Sequence, residues 1–373
     1  MKINKKIIYY LSCLSFALFM VCGCDDSDNT CRRYDPIYDD AGGRPDKKPD
    51  TDLDPEDLDI DSYRYELPLH VHVIETAVSP PVSESRLKNI IGSVNDLYWE
   101  NGMNLRFTLD RVSYTYSDRT AISCTLLMES PKGSQWYEMM EDPNEVINVY
   151  VYPFKEKGIV GISHLPLTTT DNPLEGLDEV ESRMIQASQL ENIYCISVNS
   201  DYLYVGTFLY SPNDAVTTFA HELGHYLGLY HTFAEDEDGA IDDCLDSDHC
   251  TDTPTYNRVE YKCWLDSLDY REKYTLEYLS QRHNCAGEEF VSTNLLDYAY
   301  SMSDEFSKEQ CARVRHVLNY SPLIPGPKVK TGSKGTRSVE GETVQFPPFR
   351  TIPCPQASNP ERCLLNTDNG QNK

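Results

Sequence analysis

The eleven residues from His221 to His231 dictate a helix and then its interruption. They read His-Glu-Leu-Gly-His-Tyr-Leu-Gly-Leu-Tyr-His. His221 and His225 are four apart, so on an α-helix they lie one turn apart on one face and can grip a single metal ion. Six further residues at about 100° each would carry His231 about 240° away from His225 if the helix ran on. The chain must therefore break, and Gly228 sits where a break would bring His231 back, because glycine accepts backbone angles that other residues resist. Neutral imidazole is a good zinc ligand, and three protein ligands leave the fourth tetrahedral position for water. Glu222 adjoins the first ligand and can take that water's proton as it attacks a carbonyl. A purely structural zinc site would close its fourth position with another Cys or His, and none follows at close spacing. The spacing describes a hydrolytic site.

The motif resembles that of the metzincin metalloproteinases, and its flanks sharpen the likeness. After His231 come Thr232-Phe233, then Thr251-Asp252-Thr253-Pro254, then Asn294-Leu295-Leu296-Asp297-Tyr298 and Phe306-Ser307-Lys308-Glu309-Gln310. This succession is similar to the pappalysin branch, and with the leader described below it resembles zinc-metalloproteinase lipoproteins of Bacteroides-type bacteria. The resemblance spans residues 213–320. It implies an α+β fold: a twisted mixed sheet with helices above a cleft, and an irregular lower part closed by a C-terminal helix. It implies peptide-bond hydrolysis with zinc on His221, His225 and His231, and Glu222 as general base. Leu296 stands where the family carries methionine beneath the zinc, a swap of similar volume that usually costs under about 1.5 kcal/mol. Tyr298 matches a tyrosine that in several relatives lies near the metal; an ordinary buried tyrosine is the alternative. Gly161, Ile162, Ser163 and His164 correspond by position to the edge strand above the cleft, whose free N–H and C=O groups can pair with an extended peptide; a covered edge is the bland reading.

Lys2, Lys5 and Lys6 precede an apolar run from Ile7 to Val21, too short to span a bilayer comfortably and shaped like a secretory leader over residues 1–23. Val21-Cys22-Gly23-Cys24 resembles a lipobox, so Cys24 is expected to carry lipid and anchor the chain at a bacterial outer membrane or cell surface; plain secretion competes. Of thirteen cysteines, Cys13, Cys22 and Cys24 belong to leader and anchor, leaving ten. An even count in an exported chain reads as disulfides. Cys285 with Cys311 is the favoured pair, and Cys354 could close a local loop with Cys363. With a net charge of -27 and no basic stripe, nucleic acid is excluded as a partner. The expected partners are protein or peptide substrates and, through Cys24, a membrane; the chain is expected to be a monomer.

Residues 24–62 are rich in Asp, Pro and Gly and read as a tether; a short pro-segment placing Cys31 or an aspartate on the metal is the alternative. The catalytic body is expected over 63–322, its upper part running to about 231 and its lower part over 232–322. Strands are expected at Leu67–Ile74, Leu105–Leu109, Val146–Tyr152, the 158–166 stretch and Ile193–Val198. Leu87, Ile90, Ile91, Val94, Leu97 and Tyr98 mark a helix started by Ser83 and ended at Asn101-Gly102. His70 and His72 share one strand face; with no third partner they read as buried histidines. Nine acids between Glu235 and Asp252 repel one another unless solvated or bound to a hard cation, and relatives bind calcium in this region, so Asp252 and Thr253 are candidate calcium ligands. Glu309–Asn319 reads as a closing helix, and residues 323–373 as an extended tail draped over the body or left free.

Overall fold

The computed structural model describes residues 52–53, 63–181, 185–203, 215–236, 239–269, 271–272, 274–298, 300–329 and 347–355, all within one compact unit, Pro49–Lys373. The leader, Cys24, Cys31 and Cys363 lie outside them. Among the described residues, no helix is long and apolar enough to cross a membrane.

A six-stranded mixed sheet forms the frame. Its strands are β1 (Tyr65–Glu75), β2 (Leu105–Tyr116), β3 (Ile147–Tyr152), β4 (Ile159–His164), β5 (Ile196–Asn199) and β6 (Thr351–Pro355). Their order across the sheet is β6-β4-β5-β3-β1-β2. The pairs β2/β1, β1/β3 and β3/β5 are parallel, and β4 runs antiparallel to both of its neighbours. Every residue of β3 is buried, as befits an apolar central strand covered on both faces. The expected strands all appear, the second extended as far as Tyr116.

Helix α1 (Glu84–Glu100) follows the predicted apolar spacing. Ser83 caps it by accepting from the Arg86 N–H, and Leu87, Ile90, Ile91, Val94 and Tyr98 are buried. Helix α2, described from Ala215 to Tyr226, lies against α1, and the Tyr98 hydroxyl donates to the Ala220 carbonyl at 2.9 Å. Phe219, Leu223 and Leu227 enter the core, each contributing about 1.5–3 kcal/mol of burial. Helix α3 (Arg258–Ser267) lies in a Tyr-rich insert over residues 256–284. Helix α4 (Lys308–Tyr320) is held by a reciprocal cap between Ser307 and Gln310.

Two expectations about the cysteines are corrected. Cys285 bonds to Cys244, not to Cys311, and Cys311 and Cys354 carry free thiols. Proximity across the fold decides such pairs, and sequence spacing does not encode it. The segment expected as a tail also contributes structure: β6 is the outermost strand of the main sheet. Pro353 is tolerable there because an outer strand has no ladder to donate into on its far side.

Candidate metal centre and active site

Helix α2 breaks where the spacing requires. The Leu227 N–H reaches both the Leu223 and Gly224 carbonyls, the Gly228 N–H reaches the His225 carbonyl, and Gly228 adopts φ +90°. A Cβ there would also come within 2.8 Å of Val317 on α4, so glycine is required on two counts. The reversal returns His231 to the other two rings. The Nε2 atoms of His221 and His225 lie 2.9 Å apart, those of His225 and His231 3.1 Å, and those of His221 and His231 3.2 Å.

The outer nitrogens fix what those inner ones are. His221 Nδ1 faces the Leu295 carbonyl at 2.7 Å, and His225 Nδ1 the Leu229 carbonyl at 2.8 Å. A carbonyl only accepts, so both Nδ1 atoms carry the proton. His231 Nδ1 donates to Glu235 Oε2 at 2.7 Å. Burial pulls His221 down to about 4 and holds His225 and His231 well below the ordinary imidazole value, so the rings are neutral at pH 7. Three lone pairs therefore converge on one point. Tetrahedral zinc with Zn–N bonds of about 2.0–2.1 Å puts its ligands about 3.3–3.4 Å apart, close to what is seen. The residues fit zinc.

Glu222 is fully buried on the same helix, and among the described residues neither of its carboxylate oxygens has a hydrogen-bond partner. Burial alone pushes its carboxyl well above the usual range. A neighbouring cation would restore the ionised form. Space for this carboxylate exists because residue 161 on β4 is glycine: a Cβ there would overlap it, coming within 2.7 Å of Cδ. Beneath the rings, the Leu295–Leu296 turn supplies the carbonyl for His221. Leu296, fully buried, faces Gly224 at 3.3 Å from where a Cβ would stand, so the replacement fills the floor of the site.

Tyr298 joins the cluster. Its ring centroid is 4.2 Å from that of His231 and 5.8 Å from that of His221. The Arg258 guanidinium of α3 lies over the ring, 4.5 Å from its centroid. Its hydroxyl donates to the Pro353 carbonyl of β6 at 2.6 Å, and burial keeps the phenol protonated. The stretch Gly161–His164 does not present an open edge, because β6 runs along it: Thr351 pairs with His164, Ile352 with Ser163, Pro353 with Ile162 and Cys354 with Gly161. The ring of His164 is buried against Tyr194 and Phe349, away from the metal centre's ligand set.

Asp252 and Thr253 lie apart from this site. Asp252 accepts from the Glu309 N–H at the start of α4, and the Thr253 hydroxyl donates to Asp248 Oδ2 at 2.6 Å. No trio of acidic side chains converges there among the described residues.

Three residues escaped the sequence reading. Glu235 reads as one acid in a crowded loop, yet it is mostly buried on His231, and burial raises it to about 8. Its one signal is its place four residues after the third histidine. Arg258 and Cys354 carried none, since only the folded chain brings them to the rings.

Parts of this chain resemble known proteins. Residues 185–319 match the family model Peptidase_M43, described as pregnancy-associated plasma protein-A. An extracellular metalloprotease of Arthroderma otae is 22% identical over 248 residues, covering 66% of this chain and 74% of that protein. Another, from Arthroderma benhamiae, is 28% identical over 171 residues, covering 45% of this chain and 46% of its own. Among solved structures, mature mirolysin of Tannerella forsythia in complex with a cleaved peptide superposes with a TM-score of 0.44 at 16% identity, covering 68% of this chain and 91% of that one.

Proposed function

We propose that the chain, which matches the Peptidase_M43 model over residues 185–319 and resembles extracellular metalloproteases, is a metzincin metalloendopeptidase of the pappalysin branch that cleaves protein or peptide substrates outside the cell, with zinc on His221, His225 and His231 and Glu222 as the proton-transfer group. The convergence of three imidazole lone pairs, each ring oriented by a bond from its outer nitrogen, carries this reading. Bound zinc would polarise the scissile carbonyl and acidify the attacking water. Glu222 would take that water's proton and deliver it to the leaving amine. Its carboxylate, on the turn that carries His221 and free of other hydrogen bonds among the described residues, is placed to serve as that base. Tyr298, held protonated, would donate to the oxygen on which charge gathers. With β6 displaced, an extended peptide would pair with Gly161–His164 and be read through its main chain. Metal analysis beside cleavage-site profiling of a peptide library tests the reading. A chain with one zinc bound that cuts nothing, even with the 351–355 strand removed, would refute it in favour of a catalytically silent binding lipoprotein.

The location is part of the proposal. The basic, apolar and Cys24-ending leader supports a lipid anchor at a bacterial outer membrane or cell surface. Mass spectrometry of the mature N-terminus should find acylated Cys24; an unmodified terminus there removes the anchor. Calcium at Asp252 and Thr253 is supported by a hollow lined by Thr251–Thr255 and Asn284–Ala286. EGTA should then lower the melting temperature, and an unchanged melt assigns the loop to solvent.

A further inference from the structure

We propose that the chain's own strand β6 occupies the substrate edge as an inhibitor, with Cys354 as the fourth ligand of the metal. The inference rests on the catalytic reading above, and four observations carry it.

First, β6 pairs with β4 from Gly161 to His164 and again at Ile159, with a bulge between Cys354 and Pro355, along the same main-chain groups that a peptide substrate would use. Second, the register sets Cys354 opposite Gly161, the residue whose bare Cα makes room for Glu222. Cys354 Sγ, a His221 ring nitrogen and a Glu222 carboxylate oxygen all lie within 4.8 Å of one another. Third, Glu222 is fully buried with both oxygens unpartnered among the described residues, so a polar ligand-binding point already exists where the sulfur arrives. Fourth, the strand is fastened at both ends of its approach. The Arg350 guanidinium pairs with Asp178 at 2.8 Å and reaches the Tyr230 hydroxyl at 2.9 Å, while the Leu165 N–H donates to the Arg350 carbonyl. Phe349 sits on the Tyr194 ring, and Tyr298 donates to the Pro353 carbonyl.

The chemistry is a ligand exchange. Thiolate is the binding form of cysteine, so Cys354 gives its proton to solvent as its sulfur takes the fourth position. A tetrahedral site with three rings and one sulfur is closed. No water can be activated there, and Tyr298 is spent on the strand. Nothing is oxidised or reduced, and removal of the strand reverses the exchange. The occupant is therefore both a mimic of the peptide main chain and a plug for the metal.

Cobalt substitution reads the bond without relying on turnover. The full chain loaded with one equivalent of Co²⁺ should show a near-ultraviolet sulfur-to-metal charge-transfer band, and Cys354→Ser, which retains the strand, should lose it. Native alkylation followed by peptide mass spectrometry should find Cys354 slower to react with zinc than without it. With zinc, loss of the sulfur bond in Cys354→Ser should let β6 leave β4 more often and a quenched peptide turn over faster; a bond that keeps nine chains in ten closed yields about a tenfold rise when removed. Cys354→Ala is the second variant, should serine itself coordinate. Identical cobalt spectra for parent and both variants would overturn the proposal whatever the activity. A lost band with unchanged turnover would overturn its inhibitory part. A band lost as expected, in chains that never cleave a peptide even without the strand, would place the failure in the catalytic reading.

Discussion

Replacing Glu222 by Gln should lower kcat by about 10²–10⁴-fold, the usual contribution of positioned proton transfer, or roughly 3–5 kcal/mol of barrier. Zinc content should stay at parity with the parent. The three rings are held by Leu295, Leu229 and Glu235, none of which the change touches. Glutamine has the same shape and removes only the charge and the basicity. Since neither oxygen of Glu222 has a hydrogen-bond partner to lose among the described residues, the fold should be unharmed, and loss of a buried ionisable group should leave the melting temperature equal or higher. The comparison is made in the parent and in Cys354→Ser, so that a closed cleft is not mistaken for a missing base. A Gln variant that keeps its zinc and more than a small fraction of parental turnover would exclude Glu222 from proton transfer.

Replacing Glu235 by Ala should weaken zinc binding by about 10–100-fold, the loss typical when an outer partner of a ligating histidine is removed. Glu235 orients His231 and selects its Nε2 lone pair; without it the ring can turn and the tautomer is no longer chosen. Its carboxylate also adds negative charge near the cation, although burial raises its proton affinity. Gln should fall between Glu and Ala, because an amide oxygen still accepts from Nδ1 but carries no charge. Competition with a chelator of known affinity measures all three. Equal affinities for Glu, Gln and Ala would show that the ring is set by its surroundings alone.

The convergence of the three histidines was largely legible because its information is local. Two histidines one turn apart, a glycine at the break and a third histidine are all contained in eleven residues, and the fold returns them to one point as spacing demands. Helix α1 was equally readable, its cap and apolar stripe lying within twenty residues. What could not be read is what arrives from a distance. Strand β6 reaches β4 from almost two hundred residues along the chain, and nothing in Thr351–Pro355 announces its partner. The same holds for Cys244 with Cys285, a pair set by how the loop after His231 meets the Tyr-rich insert. Asp252 is a further case: its carboxylate accepts from the Glu309 N–H at the start of α4, a contact that sequence spacing does not encode.

Position 161 has an effect disproportionate to its size. One bare carbon separates the strand's hydrogen-bonding backbone from the acid on the helix behind it, so a single methyl would evict Glu222 from its berth. On the proposed reading, grip on the peptide and proton traffic would meet at one residue without a side chain. Neither could then be re-tuned there independently, and variation in selectivity would have to enter through the surrounding walls.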